Sequence, residues 1–210
     1  MNLTIMFLGM VVEGAAWWWI SSRGANVWST MTPVLVGMGF AALLTGLPEM
    51  AQDVTPLAAV GVGLAAAVAL YLATRAFVAV VAPRWDAFRE QSVAMYGRRG
   101  SRPIGAVVAL SALLMVPGEE LFWRGLFLSE LQTRLDGAAL AAALAWAGFL
   151  VANTPSRNLA IVAGAAVGGA VWVTLAAWSG GVLAGLVCHV GWTALMLALP
   201  PLEAPFPEGM

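Results

Sequence analysis

The sequence predicts an all-α protein, a polytopic bundle of about seven transmembrane helices. Three observations predict it. Of 210 residues, 61% are hydrophobic and only 10% are charged. The mean hydropathy is +0.86, and apolar runs recur at the length of a membrane crossing. A soluble domain carries about 25% charged residues, and a fold of this size could not hide so much apolar surface.

The runs lie near 3–20, 27–47, 54–82, 103–130, 138–153, 159–177 and 182–199. Each approaches the roughly 20 residues that cross the hydrocarbon core. The third and fourth exceed a perpendicular crossing, so they tilt or extend past the bilayer. The fifth is short enough for a tilted half-span. Between the third and fourth, segment 83–102 has room for a short amphipathic surface helix, with Trp85, Phe88, Val93, Met95 and Tyr96 among arginines. The tail 200–210, with Pro200, Pro201, Pro205 and Pro207, is expected to be irregular. No linker or repeat divides the chain, so 1–210 is read as one transmembrane domain. A signal peptide is not expected, because the first positive charge, Arg23, follows the first apolar run instead of preceding it.

Loop charge orients these spans. Arg84, Arg89, Arg98, Arg99 and Arg102 put segment 83–102 in the cytoplasm by the positive-inside rule. Counting through seven spans then sets the N-terminus outside and the C-terminus inside. Arg23 and Arg157 also fall inside, which leaves Arg134 as the outward loop arginine. The pattern suits a bacterial or archaeal inner membrane. Trp17–Trp19, Trp28, Trp85 and Trp178 stand where an interfacial aromatic belt would. Gly164/Gly168 and Gly181/Gly185 have the four-residue spacing of small residues that lets helices approach.

Composition also excludes functions. A net charge of −1 suggests no nucleic-acid partner. All ten basic residues are arginine, so a Ser/Lys dyad and a Schiff base are out. One cysteine, Cys188, and one histidine, His189, rule out a disulfide framework and multi-His or multi-Cys metal sites. Neither a cofactor nor a metal is expected. Cys188 reads as a packed thiol.

Ionisable residues within a span cost roughly 2.5–3.5 kcal/mol each even on the mild insertion scale, so they mark function by default. Arg75, near the end of the third span, can snorkel. Glu13, in the first span, has no partner evident in sequence; protonation, or approach to Arg75 or Arg124, would account for it. The fourth span carries Pro117-Gly118-Glu119-Glu120-Leu121-Phe122-Trp123-Arg124-Gly125. Pro117 interrupts the helix ahead of it and frees backbone groups, which protein or a wet cavity must cover. Glu120 and Arg124, one turn apart, can pair. Glu119 is turned about 100° away. A carboxylate beside a negative charge in a poorly solvated place suits a general base at neutral pH, and a structural Glu–Arg clamp is the alternative. Phe149 and Asn153 share one face of the fifth span, and His189 and Thr193 one face of the seventh.

The motifs Glu119-Glu120-x-x-x-Arg124, Phe149-x-x-x-Asn153 and His189-x-x-x-Thr193, in this order on three spans, resemble the CPBP family. These are the CAAX-protease and bacteriocin-processing intramembrane endopeptidases, and the resemblance covers about 103–199. It implies that Glu119 activates a water, that Glu120 and Arg124 organise the site, and that His189 with the last residue of its motif holds the oxyanion. Two positions depart: Asn153 stands where the family has histidine, and Thr193 where it has asparagine or aspartate. Thr193 keeps a hydroxyl donor. Asn153 cannot take a proton at neutral pH and is a poor metal ligand, but it can still position water.

Rival chemistries fit less well. There is no H-E-x-x-H motif and no aspartate within a span, and Ser179 lies roughly 15 Å along the helix axis from His189. The expected function is therefore an intramembrane endopeptidase acting on a membrane-associated peptide or protein. The alternative is an inactive relative serving as a structural or binding subunit of a membrane complex, in one variant with His189 ligating a pigment or haem. The first reading requires Glu119, Asn153 and His189 to converge on one hydrated pocket.

Overall fold

The computed structural model describes residues 2–97 and 102–202. Among these residues eight helices follow in order: α1 (Asn2–Arg23), α2 (Val27–Leu43), α3 (Pro56–Val81), α4 (Asp86–Gly97), α5 (Ile104–Arg134), α6 (Ala138–Asn153), α7 (Leu159–Ser179) and α8 (Leu183–Ala198). Among the described residues there is no strand. The fold is an all-α membrane bundle of about seven spans, with α4 as the surface helix. Helices α1, α3, α5, α7 and, with the turn through Ser156, α6 are long and apolar enough to cross; α2 and α8 are shorter apolar helices. Arg98, Arg99 and most of the tail lie outside the described residues.

Local chemistry sets these boundaries. Asn26 caps α2, its carboxamide oxygen accepting from the Trp28 and Ser29 amides. Thr55 caps α3 ahead of Pro56, and Asn158 caps α7 through the Ala160 and Ile161 amides. Gly180, at φ 65°, ends α7 in the left-handed conformation that a Cβ would strain. The second run stops at Leu43, short of the expected 47, because the chain turns at Leu44 and Thr45 and leaves through Gly46 at φ 148°. The fifth reaches Ser156 through a tight 3₁₀ turn and is no half-span.

Pro117 does not break α5. The helix runs through it with wide π-type turns on either side, at Ser111–Met115 and Leu121–Leu128. Just ahead of the proline, the Val116 amide bonds the Ser111 carbonyl five residues back. A widened ladder absorbs the missing donor, and such turns recur at functional sites.

The connections bearing Arg23, Arg84 and Arg157 lie at one end of the bundle. There Ser21 donates to the Pro155 carbonyl at 2.9 Å, and Asn158 to the Gln91 carbonyl at 3.0 Å. At the other end Asn2 donates to Glu130 at 2.9 Å. There too the Val182 and Leu183 amides that start α8 bond the carbonyls of Glu49 and Met50 at 2.9 Å. Trp18, Trp19, Trp85 and Trp178 are each more than two-fifths exposed, as interfacial anchors should be. Trp17 and Trp28 instead turn toward an internal cavity.

Helices α2 and α5 approach closely at a pair of glycines. A Cβ on Gly118 would stand 2.3 Å from the Leu35 carbonyl oxygen, and one on Gly39 2.6 Å from the Gly118 Cα. This pair sets the depth of Glu119 and Glu120. Of the glycines singled out by spacing, Gly181 abuts the Met50 backbone, Gly185 the Trp172 carbonyl, and Gly168 makes room for Trp172. Gly164 has only ordinary contact with Trp192.

Candidate active site

Two polar walls face each other inside the bundle. The first is built on Glu120. Wholly buried, it pairs with Arg124 one turn on, Nη1 to Oε1 at 3.1 Å, as the i, i+4 spacing predicts. The same oxygen lies 2.8 Å from His189 Nδ1. Glu120 accepts from Arg124 and is read as a carboxylate, so Nδ1 is assigned the hydrogen and Nε2 is the ring's remaining polar atom.

Aromatic rings fix the rest of this wall. His189 stacks on Trp172, with centroids 3.5 Å apart and planes 14° from parallel. Arg124 lies over the Phe149 ring at 4.6 Å and the Trp172 ring at 5.4 Å, and its Nη2 donates to the Gly169 carbonyl at 3.4 Å. Phe149 thus serves as a cation–π floor for the guanidinium. It reaches that place because position 169 is glycine: a Cβ there would stand 2.7 Å from the ring. Gly185 does the same for Glu120, whose Oε2 would meet a Cβ at 3.2 Å.

The second wall joins α1, α5 and α6. Asn153 donates from Nδ2 to the Phe149 carbonyl and to Glu13 Oε1, both at 3.0 Å. Glu13 Oε2 accepts from the Trp123 indole at 2.8 Å. Neither Arg75 nor Arg124 is Glu13's hydrogen-bond partner; Arg75 donates instead to Tyr71, which donates to the Leu199 carbonyl.

Between the walls lies an open cavity of about 510 Å³, on which Glu119, Asn153, His189 and Thr193 all border. Residues from α5, α6 and α8 thus meet at one space. Glu120 and Arg124 stand behind His189, away from that surface. A smaller cavity of about 130 Å³ is bordered by Glu119, His189, Thr193 and Glu13. The larger one is walled mostly by apolar side chains, among them Leu70, Phe77, Trp192 and Met196. It offers a reacting group an apolar approach ending in a few polar atoms.

Other sites offered by the sequence are occupied differently. Ser179 donates to the Gly181 carbonyl at 3.0 Å, while His189 is engaged with Glu120. Cys188 is wholly buried in the core. Among the described residues no group of three or more His, Cys, Asp or Glu side chains is disposed to hold a metal. Trp172, Gly169 and the pairing of Glu13 with Trp123 and Asn153 carried no signal in sequence spacing. Gly185 did, as half of a small-residue pair.

Comparison with known proteins covers the second half of the chain. Residues 102–195 match the family model described as type II CAAX prenyl endopeptidase Rce1-like. No curated protein and no solved structure matches the chain. The matched segment runs from the start of α5 nearly to the end of α8 and holds the Glu120 wall, Glu119, Asn153 and Thr193, whereas Glu13 lies outside it. Its apolar helices make the chain a multi-pass integral membrane protein, and over this segment it is similar to the CAAX-protease-like membrane endopeptidases.

Proposed function

We propose that the chain hydrolyses a membrane-associated peptide or protein with a water activated by Glu119, the whole chain acting as one transmembrane domain around a family-like core at 103–199. Glu119 takes a proton from the water as the water oxygen bonds the scissile carbonyl carbon. The carbonyl electron pair moves to oxygen, and the oxyanion accepts hydrogen bonds from His189 Nε2 and the Thr193 hydroxyl. As a donor the ring needs both nitrogens protonated, Glu120 taking one N–H and the intermediate the other. The carbon–nitrogen bond then breaks, and Glu119 returns its proton to the leaving amine. Arg124 holds Glu120, and Asn153 positions the water. The arginine-bearing end faces the cytoplasm of a bacterial or archaeal cell, with the N-terminus outside and the C-terminus inside.

The observation that carries this reading is the shared cavity, bordered by Glu119, Asn153, His189 and Thr193 from three helices. Its test is hydrolysis of fluorogenic peptides by the full chain in proteoliposomes. One probe ends in a prenylated CAAX sequence, as the family's description suggests, and one is unprenylated. Glu119→Gln should remove turnover by about 10²-fold or more with the fold retained.

One observation favours a second reading, an inactive subunit of a membrane complex: Asn153 replaces an acid/base residue. On that reading Glu119→Gln is silent, purification returns stoichiometric partners, and Asn153→His adds no activity. On the hydrolytic reading Asn153→His raises turnover. A visible absorption spectrum decides whether His189 holds a pigment or haem.

A further inference from the structure

Among the described residues, Glu13 is the one wholly buried carboxylate that the mechanism above leaves without a task. It comes from α1, and yet it borders the small cavity together with Glu119, His189 and Thr193. Both of its oxygens are engaged, Oε2 with the Trp123 indole at 2.8 Å and Oε1 with Asn153 Nδ2 at 3.0 Å.

The geometry of Asn153 says what Glu13 does there. A carboxamide has two N–H donors on one end and an acceptor on the other, nearly equal in size, so its orientation follows from its partners. One hydrogen of Asn153 goes to the Phe149 carbonyl, a backbone group that can only accept. The other goes to Glu13. With both hydrogens committed, Oδ1 is the polar atom Asn153 has left for the large cavity it borders.

We propose that Glu13 is a positioning residue of this site: with the Phe149 carbonyl it locks the Asn153 carboxamide so that Oδ1 serves the attacking water as an acceptor. The inference rests on the hydrolytic reading. The water then gives one hydrogen bond to Asn153 Oδ1 and its other hydrogen to Glu119, which leaves a lone pair free for the carbonyl carbon. A histidine at 153 would present a ring nitrogen and needs no such lock. Trp123, pinned among Phe122, Phe127 and Phe149, holds Glu13 in turn.

Glu13→Gln in the full chain, assayed in proteoliposomes with the prenylated fluorogenic peptide, tests this. A glutamine there has one acceptor oxygen for two donors, the Trp123 indole and Asn153 Nδ2, so one of those bonds is lost and the Asn153 carboxamide is no longer locked. The expected result is a kcat lower by about 10²-fold with KM within about twofold, the signature of a misplaced reacting group. Glu13→Gln/Asn153→His should regain the turnover of Asn153→His alone, a non-additivity that a merely structural glutamate would not give.

An unchanged kcat for Glu13→Gln, with Glu119→Gln inactive, overturns the inference and leaves the hydrolytic reading standing. An equal loss in both backgrounds also overturns it, by making Glu13 structural. If the parent chain and Glu119→Gln are alike inactive, the hydrolytic reading falls and takes this with it. Should Glu13→Gln not fold, Trp123→Phe frees Oε2 while keeping the carboxylate. A lowered kcat at unchanged KM then supports the lock, and an unchanged kcat refutes it.

Discussion

The two carboxylates of the Glu119–Glu120 pair sit one residue apart in surroundings that have little in common. Glu120 belongs to a closed network: a guanidinium, an imidazole and two aromatic rings bind one another with the cavity at their back. Glu119 stands on the open side, bordering both cavities beside a hydroxyl, a carboxamide and a ring edge. A single residue step, about 100° around the helix, thus separates a region that holds shape from a region open to the cavity. The lesson is that substitutions in the two should fail differently. In the closed network they should cost stability, and at the open face turnover.

The largest expected effect lies in the closed network. Arg124→Ala leaves Glu120 buried beside His189 without its guanidinium and should destabilise the protein by about 3–5 kcal/mol, read by detergent or thermal unfolding. A wild-type midpoint would break the distinction. Next comes Gly185→Ala, whose methyl presses on Glu120 Oε2 and the Trp172 carbonyl, at 3.2 and 3.1 Å. Overpacking of this kind should cost about 1–3 kcal/mol. The smallest effect on stability is expected for Thr193→Val on the open face, within about 0.5 kcal/mol. Its turnover should nevertheless fall about 10²-fold if the hydroxyl meets an oxyanion. Equal losses of stability for Thr193→Val and Gly185→Ala would dissolve the contrast.

Local relations in this molecule were readable from the letters, and remote ones were not. Glu120 and Arg124 could be paired in advance because helical spacing dictates it. The seven apolar runs and the amphipathic helix between the third and fourth announced themselves by length and pattern. His189 could be joined to Glu120 only through the family's motif order, since no periodicity links residues on different helices. Glu13 shows the limit most clearly: its partners, Trp123 and Asn153, lie on α5 and α6, and only tertiary packing brings them to α1. Reading charge alone pointed to Arg75 or Arg124, but an indole and a carboxamide satisfy the carboxylate instead. Pro117 misled in the other direction, because a wide turn can absorb a missing donor without ending the helix.

The start of α8 carries a consequence for how the molecule holds together. The helix bearing His189 and Thr193 has no side-chain cap; its first amides borrow their acceptors from the loop between α2 and α3. That loop acts as a splint laid across the mouth of the bundle, and the imidazole's height above Glu120 is referenced to it. Lengthening it by a single residue would shift the splint, so a region with no reactive group of its own helps keep His189 and Thr193 in register with the residues around them.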